Sequence, residues 1–104
     1  MRAQTEMIDA AIVGGATHFY PSEWNSDISQ KEIADMRYFR DKQFTRSHLV
    51  ARAKEHPGFR YTLFITGIFT EWSFLEFYGF DHENLEVVVY GKADAQVGMT
   101  SIPE

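Results

Sequence analysis

Residues 61–66, Tyr-Thr-Leu-Phe-Ile-Thr, form an unbroken β-forming run halted by Gly67, and no other stretch constrains the fold as much. A strand with one wet face alternates polar and apolar residues. A run without alternation is expected to be buried on both faces, as in a parallel sheet. Parallel strands need a crossover, usually a helix, and the preceding stretch supplies one. Ser29 and Glu32 have the S-x-x-E spacing of a capping box, in which each side chain satisfies an orphan N–H of the first turn, so a helix is predicted to start there. Helix formers continue to Glu55, with Met36, Phe39, Leu49 and Ala53 apolar, and Pro57 with Gly58 ends the segment; a break near residue 35 is compatible with the pattern.

The rest of the chain repeats this alternation. Met7, Ile8, Ala11 and Ile12 fall at helical spacing ahead of Gly14 and Gly15, which suit a helix C-terminus. Residues 17–20 read as a buried strand stopped by Pro21, with a loop over residues 21–24. Residues 69–78 read as a short aromatic helix. Residues 86–90 and 96–100 read as two further strands joined by a turn over 91–94. Strands alternating with helices predict an α/β fold built from βαβ crossovers, in one domain over residues 1–104.

Composition narrows the functions open to such a fold. With 44% hydrophobic and 15% aromatic residues the chain can supply a packed core. A formal charge of −5 speaks against nucleic-acid binding, which needs a cationic surplus. Seven of the ten cationic residues lie between Arg37 and Arg60, but Asp41 and Glu55 are interleaved, so that segment reads as the solvated face of a helix. The absence of Cys removes thiolate chemistry and fits a reducing compartment, so a cytoplasmic location is expected. No apolar run approaches the ~20 residues of a membrane helix, and the first six residues hold no signal-peptide core. His18, His48, His56 and His82 make no pair at metal spacing, so no metal site is expected.

Ligands of open α/β sheets bind beyond the carboxyl ends of the strands. That singles out Pro21 and Ser22 after the first strand and Gly67 after the 61–66 strand: Ser22 offers a hydroxyl, and Gly67 permits close backbone approach. Tyr38 and Lys42, four apart on the predicted helix, share one face, where a Lys can lower the pKa of a phenol or itself donate a proton. The same spacing also describes a surface Lys beside a half-buried Tyr. Phe69 and Trp72 can line an aromatic substrate pocket or belong to the core.

Several segments, in order, resemble the NmrA-like (isoflavone-reductase-like) family. Met7-Ile-Asp-Ala-Ala-Ile-Val-Gly-Gly15 resembles its l-i-d-A-A-x-x-a-G helix, and Thr17-His-Phe-Tyr-Pro-Ser-Glu-Trp24 its k-r-F-x-P-S-E-[FW] strand and loop. Phe39, Lys42 and Arg46 fit F-x-x-K-x-x-x-R; Tyr61-Thr with Gly67-Ile-Phe69 resembles Y-T-x-x-x-x-[GN]-x-F. Val89-Tyr-Gly91 and Val97-Gly-Met-Thr100 resemble its g-d-g-x-x-x-v-x-x-T strands.

The resemblance implies the C-terminal part of a doubly wound, Rossmann-like NAD(P)-binding fold with an incomplete sheet. It implies NADPH as cofactor, with Pro21, Ser22, Lys42 and Gly67 at the nicotinamide side. Lys42 takes the position of the catalytic lysine, with Tyr38 as a further candidate, although many members lack that Tyr. The implied parent is an NADPH-dependent reductase of a small aromatic or phenolic substrate; the alternative is a non-enzymatic dinucleotide sensor that binds a protein partner. The family's G-x-x-G-x-x-G loop is not in this sequence. The chain is therefore expected to be an internal fragment, inactive alone, whose 17–20 strand has an uncovered edge that invites self-association.

Overall fold

A computed structural model describes residues 3–103. Met1, Arg2 and Glu104 lie outside it, and with the first two part of the stretch read as lacking a signal-peptide core. The described residues mix helices with short strands and divide into two units at residues 65 and 66.

The first unit is a βαβ arrangement with a helix ahead of it. Helix α1 (Ala3–Val13) ends in a Schellman motif, in which Ala16 N–H donates to Ala11 O (2.9 Å) and Gly15 N–H to Ile12 O (3.0 Å). Gly15 stands at φ +82°, where a Cβ would be strained. Strand β1 (His18–Phe19) pairs in parallel with β2 (Arg60–Tyr61), His18 opposite Arg60 and Phe19 opposite Tyr61. Between them run α2 (Lys31–Ala34), a 3-10 turn (Arg37–Phe39) and the 16-residue α3 (Arg40–Glu55). Ile8 of α1, Leu49 of α3 and Phe59 before β2 form the core, flanked by Ile12, Phe19, Ala53, Tyr61 and Leu63. Helices of this length place apolar residues one turn apart on a single face, which lets α1 and α3 bury Ile8 and Leu49 completely.

Some expectations for this unit need correction. The predicted capping box does not form: Gln30 occupies the N-cap of α2 without a side-chain bond, and Ser29 N–H donates instead to the Asp27 carboxylate (3.0 Å). The interruption near residue 35 is real, with Asp35 capping α2. The 61–66 run is not a doubly buried strand. Only Arg60 and Tyr61 pair, Thr62 N–H makes one more bond to Phe19 O (3.2 Å), and Phe64 and Ile65 are exposed. Pro21 ends the pairing on the β1 side, and among the described residues β2 has no second neighbour, so residues 63–65 have no strand beside them. The 17–20 strand likewise leaves His18 and Tyr20 exposed.

In the second unit β3 (Ile68–Phe69) pairs in parallel with β6 (Met99–Thr100), and β4 (Phe80–Asp81) pairs antiparallel with β5 (Glu86–Val87). The four-residue α4 (Thr70–Ser73) and a 3-10 turn (Glu76–Tyr78) replace the single helix expected over 69–78. The strands predicted at 86–90 and 96–100 do not pair with each other. The Asp81 carboxylate accepts from Glu83 N–H and Asn84 N–H, folding a tight turn that brings β5 onto β4 at a low loop-closure cost. Among the described residues of this unit, only Ser73 is buried. Among all the described residues, no helix is long and apolar enough to cross a membrane.

Candidate functional site

The loop after β1 is folded by contacts from α3. Pro21 is fully buried, and Glu23 N–H donates back to its carbonyl (2.8 Å), turning the chain sharply. Trp24 follows at φ +39°, a left-handed conformation that a bulky residue adopts only where its surroundings impose it. The imposing contacts come from one helix face. Lys42 Nζ donates to Ser22 O and to Glu23 O (2.7 Å), Gln43 Nε2 donates to Ile28 O, and Arg46 forks onto the Glu23 carboxylate with Nε–Oε1 at 3.1 Å and Nη2–Oε2 at 2.8 Å. Lys42 and Arg46 are one turn apart on α3, so both reach the same loop residue. Ser22 N–H is held from the other side by Gln4 Oε1 of α1 (2.9 Å).

Lys42 lines a cleft of about 390 Å³ together with Gln4, Ser22, Tyr38, Asp41 and Thr45. Burial is the largest influence on its ammonium and lowers its pKa below that of an ordinary lysine; the Glu23 carboxylate opposes this and the Arg46 guanidinium adds to it. Lysine carries three donors. Two are directed at loop carbonyls, which fixes Nζ and leaves a third N–H.

The structure thus brings Ser22, Tyr38 and Lys42 to one cleft, with Pro21 buried in the loop that frames it. Tyr38 and Lys42 are not on one regular helix, because Tyr38 belongs to the 3-10 turn ahead of α3. The Tyr38 ring packs edge-on against Phe39 (centroids 5.0 Å apart) and is 77% exposed. Gly67, Phe69 and Trp72 belong to the second unit. The close approach that Gly67 permits is made to Gly98, whose carbonyl oxygen would lie 2.0 Å from an added Cβ. Phe69 and Trp72 contact each other edge-to-face at 5.4 Å.

Glu23 and Arg46 stand in separate motifs 23 positions apart, and no spacing in the sequence links them as a pair. The basic face of α3 also differs from the solvated one expected. Arg46 is 14% exposed on Glu23, and Arg52 forks onto Asp9 of α1 (2.7 and 3.2 Å), which also meets His48 Nε2 at 2.8 Å. Arg52 first and His48 second hold the Asp9 carboxyl below the usual range. His18 Nε2 lies 2.9 Å from Thr62 Oγ1. Among the described residues, no group of three or more His, Asp or Glu is placed to hold a metal ion.

Compared with known proteins, the chain is 32% identical over 83 residues to "Oxidoreductase aprR" of Aspergillus flavus. The match covers 78% of this chain and 27% of that protein, so the chain spans about a quarter of the length of the curated relative it resembles. No family model matches the chain. No solved structure matches it.

Proposed function

We propose that this chain forms the nicotinamide-side wall of a Rossmann-like, NmrA-like NAD(P)H-binding domain, with the whole protein an NADPH-dependent reductase of a small aromatic or phenolic substrate. Lys42 is its general acid/base. The observation that carries this reading is the double tether of Lys42 to the carbonyls of Ser22 and Glu23, at a cleft it shares with Ser22 and Tyr38. The similarity to an oxidoreductase supports it from outside the geometry.

The donors around the cleft fit one end of a dinucleotide. An ammonium, a serine hydroxyl and a phenol can hydrogen-bond a carboxamide or a ribose hydroxyl, and the volume lies in the range of small-ligand sites. No glycine-rich phosphate loop stands in this sequence, so pyrophosphate binding is not attributed to these residues. When bound, the reduced nicotinamide supplies the hydride. The chain's own part is to hold Nζ in place and to deliver a proton from its third N–H to a substrate oxygen. A lowered pKa favours that role, because general acids work best when their pKa approaches the working pH.

Titration of the purified chain with reduced nicotinamide mononucleotide, followed by amide NMR, tests the reading. Shifts are expected at residues 22–24 and 38–46, with a dissociation constant of about 1 mM, or roughly 4 kcal/mol. Silence of those amides at about 10 mM ligand would sink it. Binding of NADPH tighter than about 10 μM, roughly 7 kcal/mol, would mean that this chain holds the whole cofactor and is more than one wall. In the whole protein, Lys42→Ala abolishes turnover with little change in cofactor affinity; unchanged turnover removes Lys42 from the mechanism.

A further inference from the structure

The Glu23–Arg46 pair has no place in the proton transfer just described, yet its surroundings are unlike those of the chain's other ion pairs. Glu23 is 1% exposed and Arg46 is 14% exposed, whereas Arg52, Asp9 and Glu55 are all more open. Taking a carboxylate out of water is costly unless its partner and geometry are good. Here both oxygens are met by one planar fork, the arrangement in which guanidinium and carboxylate bind most specifically.

What the pair holds in place is the backbone that Lys42 uses. Glu23 is bound twice by α3, through its carboxylate to Arg46 and through its carbonyl to Lys42, and the adjoining Ser22 carbonyl is the second Lys42 acceptor. The Trp24 backbone next along is in a conformation that would relax if the loop were released. We propose that Glu23 and Arg46 are positioning residues: their buried fork clamps the 22–24 loop to α3, and so presents the carbonyls of Ser22 and Glu23 to Lys42 Nζ. This rests on Lys42 being the working group of the cleft.

The charges provide a test that loss of structure cannot imitate. The pair is neutral as a whole, and its two halves act on Lys42 in opposite directions, Glu23 holding the proton and Arg46 repelling it. The other titratable groups lining the cleft are Asp41 and Tyr38, and they remain in every variant. Lys42 is titrated in the full chain by NMR of its ε-methylene and Nζ signals, in the native protein and in Glu23→Gln, Arg46→Met and Arg46→Lys. Gln keeps an oxygen for the fork and removes the charge, so the Lys42 pKa falls by about one pH unit. Met removes the fork and the opposing charge together, so the pKa rises. Lys retains the charge but cannot make the planar fork, so the loop is released and Lys42 moves up to an ordinary lysine.

If Glu23→Gln and Arg46→Met shift Lys42 but Arg46→Lys leaves it as low as in the native protein, only charge is at work, the loop holds without the fork and the proposal falls. It falls also if neither moves Lys42. Should either of those variants fail to fold, Arg46→Lys decides alone, since Lys42 remaining there as far below an ordinary lysine as in the native protein overturns the clamp. The readout involves no cofactor and no turnover. Release of Lys42 in Arg46→Lys together with unchanged turnover in Lys42→Ala would therefore refute the catalytic reading while keeping the clamp, and the reverse result would do the opposite.

Discussion

Residues 3–65 and residues 66–103 are both rich in aromatic and aliphatic side chains, yet only the first region has a core. There Ile8, Leu49 and Phe59 are buried together, while in the second Phe77 is 87% exposed, Leu85 is 91% exposed and the valines at 87–89 are at least half exposed. Element length separates them. Helices of 11 and 16 residues give the first region two apolar faces that can meet. The second has a four-residue helix and two-residue strands, too short to line up residues a turn apart or to alternate faces. Apolar supply is therefore not a core; a core needs periodic elements long enough to present that supply on one side.

The largest effect should fall on the first region. Leu49→Ala opens a cavity in the cluster of Ile8, Leu49 and Phe59 and should cost about 3 kcal/mol, read as a lowered midpoint of denaturant unfolding by far-UV circular dichroism; a loss below about 0.5 kcal/mol would show that the cluster is not what holds α1 to α3. Next comes a break confined to the second region. Gly67→Ala drives a Cβ into Gly98 O from a left-handed backbone, so it should cost on the order of 2 kcal/mol and abolish hydrogen-exchange protection of the Ile68 amide, which donates to Gly98 O. Unchanged protection of α3 amides in that variant would sharpen the division; their loss would erase it.

A smaller effect is expected in acid. Asp9 titrates below an ordinary carboxyl because folding gives it Arg52 and His48. A depressed carboxyl contributes stability that is present above its unfolded pKa, about 3.9, and disappears as the pH falls through its folded pKa. Asp9→Asn should therefore flatten the acid limb of the first region's stability curve and leave low-pH stability unchanged; an identical acid limb would mean that the α1–α3 ion pair is absent in solution. Smallest of all, Phe77→Ser and Leu85→Ser should change stability by less than about 0.5 kcal/mol, because little is buried there to lose. A cost several times larger would reveal that these side chains are covered in solution, and analytical ultracentrifugation of the native chain would tell whether a second copy covers them.

Local signals were legible in the sequence wherever backbone chemistry acts alone. Gly14 and Gly15 end α1, Pro57 and Gly58 follow the end of α3, and Pro21 closes β1, all by constraints that neighbours cannot override. Signals that depend on a partner were not legible. Residues 61–66 look like a doubly buried strand, but burial needs a sheet on both sides and β2 has one neighbour among the described residues. Ser29 and Glu32 have capping-box spacing, but Asp27 captures the Ser29 N–H first. At the cleft, residue type and motif are enough to mark Ser22, Tyr38 and Lys42. The link between Glu23 and Arg46 spans 23 positions, and no local pattern encodes it.

The two tryptophans lie one in each region, and each has an aromatic neighbour within its own region. Trp24 stacks on Phe64 with centroids 5.1 Å apart, and Trp72 meets Phe69 edge-on. Each indole is thus a separate optical reporter: replacing Trp72 with Phe leaves emission that follows the first region alone, and replacing Trp24 with Phe leaves emission that follows the second. Melting curves of the two single-tryptophan proteins would show whether the regions come apart together or in sequence, with no external label.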